Sequence, residues 1–220
     1  FLKTPGFTLI AVVMLSLGIG ANTAIFSIVN AVLLRPLPYR EPERLMLVKE
    51  SLPKISWNLM AAAPAEFLDY QAGNEVFADI AAFTAQRLNL TGQGEPQRIE
   101  IARVSPSLFP LLGVQPLQGR TFLPEEDQTG RNDVVVLSHD FWQRRFRGSP
   151  AATGTPLTIE RVPFRIVGIM PRGIAGLEGG RTFDVAPTLG AEPLLRRRRG
   201  LIDDARGLIP FLLVRLKAGK

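Results

Sequence analysis

Ser138, His139 and Asp140 stand in a row and are the three residue types of a hydrolase triad. Consecutive residues cannot line up a hydroxyl, an imidazole and a carboxylate on one substrate atom. A serine directly before HDFWQRRF predicts a helix N-cap instead. Glu125, Glu126 and Asp127 follow Pro124. Their carboxylates could hold a cation, but they lack the spacing of a calcium loop, and the run predicts a solvated turn. Arg196 to Arg199, between Pro193 and Gly200, could meet anionic lipid or an acidic partner, and reads more simply as a solvated loop. Asn89-Leu90-Thr91 matches a glycosylation sequon, which has no meaning in a bacterium. Trp142 and Phe146, at i and i+4, predict core contacts. No G-x-x-x-x-G-K-[ST] occurs, so no phosphate cradle of an ATPase is present. There is no cysteine, and His139 is the single histidine, so thiolate chemistry, disulfides and a zinc site are excluded. The sequence predicts no catalytic, cofactor-binding or metal-binding residues, and no enzyme activity.

The elements around these residues begin with a charge-free run from Thr4 to Leu34, bounded by Lys3 and Arg35. As a helix, Phe7 to Leu34 would be about 42 Å long, and a bilayer's hydrocarbon core needs only about 20 apolar residues. The run therefore predicts a membrane-spanning helix over residues 5–35. Thr4-Pro5 suits its start and Arg35-Pro36 its stop. It is too long for the apolar region of a signal peptide and lacks a small-x-small cleavage site. Gly20, Ala24, Ser27 and Ala31 share one helical stripe, along which another membrane helix could approach closely. Asn22 and Asn30 lie in the same run and would seek partners on neighbouring helices.

All 20 acidic residues, and every basic residue but Lys3, lie from Arg35 onward. The net charge of +6 is a mild and scattered excess, which argues against nucleic-acid binding. The chain starts at Phe1 and stops at Lys220, and reads as a fragment of a longer protein. Residues 36–220 predict one α+β domain of alternating strands and short helices. Leu45–Glu50 reads as a strand, Pro64–Tyr70 as a helix start, and Ala78–Leu90 as strand-like up to a turn at Thr91–Gly94. Gln97–Val104 alternates cleanly. Ser105 should cap a helix that ends at Gly113. Asp133–Ser138 is a buried strand, Pro156–Ile159 and Val162–Met170 a hairpin about Glu160-Arg161, and Ile209–Lys217 a last strand.

The blocks Leu17–Tyr39, Arg87–Gln128, Val134–Pro150 and Pro163–Pro171 follow a familiar order. Over roughly residues 1–185 the chain resembles the MacB/FtsX-like permeases of ABC transporters, in particular the first half of the large duplicated acidobacterial type. The resemblance implies a first membrane helix followed by a periplasmic core domain, with a porter-like α/β lobe and a smaller β-rich lobe inserted in it. Three further membrane helices would follow beyond Lys220. It implies a bacterial inner-membrane permease subunit that couples ATP hydrolysis, by a separate cytoplasmic ATPase, to efflux or to extraction of a periplasmic substrate. Its implied partners are that ATPase, the other membrane helices of the permease, a second copy in a homodimer, and a periplasmic adaptor. The alternative reading of the residues is a singly membrane-anchored periplasmic binding or scaffold domain.

Overall fold

A computed structural model describes residues 5–30, 39–48, 50–52, 57–60, 67, 70, 73, 76–92, 94–128, 130–174, 182–196 and 211–217. The chain divides into two compact units, Phe1–Leu37 and Pro38–Lys220.

The first unit is helix α1, Pro5–Val29. Proline at its first position presets φ and has no N–H to leave unpaired. Gly6–Ser27 has a mean hydropathy of 2.1, and none of this stretch is buried within the protein. The helix is apolar all round, so no polar face is left to meet water. Its polar side chains can stay within the helix: the Thr23 hydroxyl donates to the Ile19 carbonyl at 2.8 Å. Lys3, Thr4, Ala31, Arg35 and Pro36 lie outside the described residues.

The second unit is organised by one long strand. In chain order its strands are β1 Leu45–Val48, β2 Glu50–Leu52, β3 Trp57–Met60, β4 Phe77–Thr91, β5 Gln97–Val104, β6 Gln118–Gly119, β7 Val134–Leu137, β8 Pro156–Ile159, β9 Val162–Ile169, β10 Val185–Pro187 and β11 Phe211–Leu216. The helices are α2 Leu108–Leu112, α3 His139–Phe146 and α4 Glu192–Arg196. Strands β2 and β3 pair with each other, and the remaining strands share a sheet of order β1-β11-β4-β5-β10-β7-β9-β6, with β8 joined to both β4 and β9. The sheet therefore closes on itself: β4, β5, β10, β7, β9 and β8 form a ring. All six strands contribute to one core cluster, including Leu90, Ile101, Val185, Leu137, Ile166 and Ile159. Phe141 and Trp142 of α3 join that cluster.

Alternation explains the two-sidedness of the ring. Along β5, Ile99 and Ile101 enter the ring cluster, while Ala102 and Val104 face a second cluster with Leu108, Leu111 and Leu112 of α2. The β8–β9 hairpin turns through Glu160 and Arg161, at φ 48° and 68°. Two successive positive φ values match the right-handed strand twist, as in a type I′ turn.

The helix expected from Ser105 starts later, with Ser107 in the cap position and Gly113 stopping it at φ 71°. The Ser105 hydroxyl is taken by the Ala82 N–H at 3.0 Å, and the Ser107 hydroxyl donates to the Ile80 carbonyl at 2.8 Å. These serines fasten α2 to β4 and do not cap the helix. The strand expected at Leu45–Glu50 ends at Val48, and Glu50 starts β2. The helix start expected at Pro64–Tyr70 lies outside the described residues except for Phe67 and Tyr70, which are helical.

Candidate functional site

Two arginines tie the first described strand of the second unit to the last. Strand β1, near the start of the domain, pairs antiparallel with β11, near its end, with Leu45 opposite Arg215. Arg44 Nε donates to the Leu216 carbonyl at 3.0 Å, and its Nη1 pairs with the Glu41 carboxylate at 2.6 Å. Arg215, in return, donates from Nη1 to the Glu41 carbonyl at 3.3 Å and from Nε to the Leu111 carbonyl at 3.2 Å. Its guanidinium is buried, 3.5 Å from the Glu41 carboxylate. Both cations thus converge on Glu41, a non-glycine residue in the left-handed region at φ 45°. Asp79 of β4 feels Arg215 as well. Burial pushes its carboxyl above the usual range, opposed in part by the Ile80 N–H and by Arg215.

A second ion pair is fully enclosed. Arg103 of β5 meets Glu192 of α4, and both side chains are almost entirely buried. Arg103 falls in phase with Ile99 and Ile101, so an otherwise apolar face carries a cation that requires its anion.

The acidic turn is not solvated, which corrects the reading from sequence. Glu126 is only 6% exposed. It accepts two hydrogen bonds from Arg120, at 2.6 and 2.7 Å, and one from the Leu123 N–H at 2.9 Å. Burial pushes its carboxyl up, but Arg120 and the Leu123 N–H outweigh that, and its pKa falls below the ordinary value. Asp127 accepts the Gly190 N–H at 2.6 Å. Burial raises its pKa to about 6, against the pull of the Gly190 N–H and the Thr188 hydroxyl. The turn, a 3-10 segment over Pro124–Asp127, therefore clamps the segment Leu189–Ala191 that leads into α4.

Ser138 caps α3, its hydroxyl accepting the Phe141 N–H at 3.2 Å. This is the helix cap expected from the sequence. Trp142 is buried and donates from its indole N–H to the Ser149 carbonyl at 2.8 Å, and Phe146 packs against the same core. His139 lines a cleft of about 160 Å³ with Asp140, Arg144, Arg172, Phe183 and Asp184. Among the described residues no three His, Cys, Asp or Glu side chains are grouped to hold a metal. Gly20, Asn22, Ala24, Ser27 and Asn30 are exposed on the first unit, and a Cβ at Gly20 would meet nothing within 4 Å. Arg196 ends α4, and Arg197 to Arg199 lie outside the described residues. The sequence reading missed Glu41, Arg44, Arg103, Glu192 and Arg215. A charge in the apolar phase of a strand, as at Arg103 and Arg215, was the available signal.

The family model described as MacB-like periplasmic core domain matches residues 8–220, and the chain belongs to that family, the non-catalytic permease component of ABC transporters. The fold agrees. The periplasmic region of MacB from Actinobacillus actinomycetemcomitans is similar at a TM-score of 0.60 and 13% identity, over 80% of this chain and 75% of that one. The extracellular domain of the noncanonic ABC-type transporter YknZ from Gram-positive bacteria gives a TM-score of 0.59 at 11% identity, over 79% of this chain and 83% of that one. Comparison with curated proteins finds no match.

Proposed function

We propose that this chain is part of a permease subunit in a bacterial inner membrane, with α1 spanning the membrane and the second unit in the periplasm. It couples ATP hydrolysis by a separate cytoplasmic ATPase to efflux or to extraction of a periplasmic substrate. The observation that carries this reading is the pairing of β1 with β11 under the crossed arginines Arg44 and Arg215. A domain whose first and last described strands are paired moves as one body when either strand is displaced, as coupling requires. Gly20, Ala24 and Ser27 face another membrane helix of the same permease, and Asn22 and Asn30 find amide partners there. A homodimer and a periplasmic adaptor complete the assembly.

The test is a flexible Gly-Ser insertion between Leu34 and Arg35 of the full-length protein, assayed together with its ATPase. The expected result is a normally folded domain and persistent ATP hydrolysis with reduced transport. Undiminished transport would make α1 a tether only. The full-length reading frame separates the rival architecture: three further apolar runs of about 20 residues fit the permease, and none fits a singly anchored binding or scaffold domain.

A further inference from the structure

We propose that His139 is a proton-operated catch: as a neutral ring it holds Arg172 across the cleft beside α3, and as a protonated ring it releases Arg172 and turns to Asp140. This holds whatever the domain is coupled to.

The geometry sets one nitrogen between two incompatible partners. Nδ1 of His139 lies 3.2 Å from Arg172 Nε and 3.3 Å from Asp140 Oδ1. A guanidinium only donates, so the contact with Arg172 requires a bare lone pair on Nδ1. A carboxylate only accepts, so the contact with Asp140 requires a hydrogen on the same atom. The two bonds exclude each other, and a single proton chooses between them. Imidazole is the side chain whose charge ordinarily changes in the physiological range.

The surroundings favour an exchange of partners over simple solvation. The His139 side chain is 11% exposed and packs edge-on to the Trp142 ring, with centroids 5.7 Å apart. Its charged form therefore needs a protein partner, because little water reaches it. Asp140 is largely exposed and free to turn inward. Arg172 is exposed and free to swing out, beside Gly173 at φ 85°. The other charges at the cleft are engaged elsewhere. Arg144 of α3 pairs with Asp184 at 2.5 Å, and the second oxygen of Asp184 accepts the Glu100 N–H at 3.1 Å. Acidification thus frees the Arg172 side chain from the start of α3 and leaves the guanidinium at the cleft without this partner.

Because His139 is the only histidine, ring-labelled histidine gives one set of imidazole signals from the whole chain in lipid nanodiscs. The neutral ring is expected to carry its hydrogen on Nε2, and the Arg172 Nε–H signal to shift with the same midpoint as the ring. Exchange of the Arg172 Nε–H with solvent should rise about fivefold on protonation, the equivalent of one ordinary hydrogen bond. Asp140→Asn should reduce the change at the Arg172 Nε–H on acidification, because the protonated ring then lacks its carboxylate acceptor. In Arg172→Gln the ring should titrate with no accompanying change at any arginine Nε–H. Both substitutions are at exposed positions, so the fold is not at risk. A neutral ring with its hydrogen on Nδ1, or constant exchange of the Arg172 Nε–H through the titration, overturns the proposal.

Discussion

Asp127 accepts the backbone N–H of Gly190 at 2.6 Å, so a carboxylate from the acidic turn fixes the path of the chain into α4. Its pKa stands at about 6, against 3.8 for an unburied aspartate. The folded protein thus binds a proton more readily than the unfolded one between these values, and its stability from this group rises as pH falls through 6 and levels off below about 4. The gap of roughly two pH units corresponds to about 3 kcal/mol. Asp127→Asn should erase that gain. Urea unfolding from pH 7.5 to 4.5, with wild type and variant compared at each pH, reads the difference. Glu126 works in the other sense, losing stability as pH falls through its lowered value, and cancels in the comparison.

Arg103 and Glu192 are a pair that tolerates joint replacement better than single loss. Glu192→Ala should cost about 3–5 kcal/mol, because it strands a buried guanidinium. Arg103→Met with Glu192→Leu should recover most of that, since no charge then remains inside. Chemical denaturation of the two single variants and the double variant checks both statements, and an additive double loss contradicts them.

Arg44 should matter more to transport than to folding. It is partly exposed, so Arg44→Ala should lower stability by only about 1 kcal/mol. The Leu216 carbonyl would lose its donor, and β1 would part from β11 more readily under load. In the full-length protein the expected readout is reduced transport with ATP hydrolysis retained. Equal loss of both would mean that the arginine acts on assembly instead.

Gly20→Leu should weaken association of α1 with its neighbouring helix. The new side chain meets open space within this chain, so the helix itself should form unchanged. Crosslinking yield and transport in the full-length permease are the measurements, and unchanged values in both would place this stripe against lipid.

How far the sequence reaches into this structure depends on the distance over which each residue finds its partner. Strand β5 and helix α3 were legible because their determinants are local: QRIEIARV alternates, and Ser138 caps the N–H three residues on. Ser105 misled because its hydroxyl is claimed by Ala82 on another strand. The acidic turn misled for the same reason, since Asp127 finds Gly190 and Thr188 far along the chain. The crossed arginines needed the pairing of β1 with β11, which no local pattern specifies. The closure of the sheet through β8 rests on two residue pairs with β4 and left no periodic trace.

Strand β11 lies between β1 and β4, although it is the last of the three to be synthesised. A chain synthesised from its N-terminus therefore delivers both flanking strands long before the one that belongs between them. Until Phe211–Leu216 arrives, β1 has no pairing partner in its sheet and β4 keeps an open edge. Completion of this sheet therefore waits on its last strand. A chain cut short before β11 would leave both edges bare, open to proteases and to pairing with other chains.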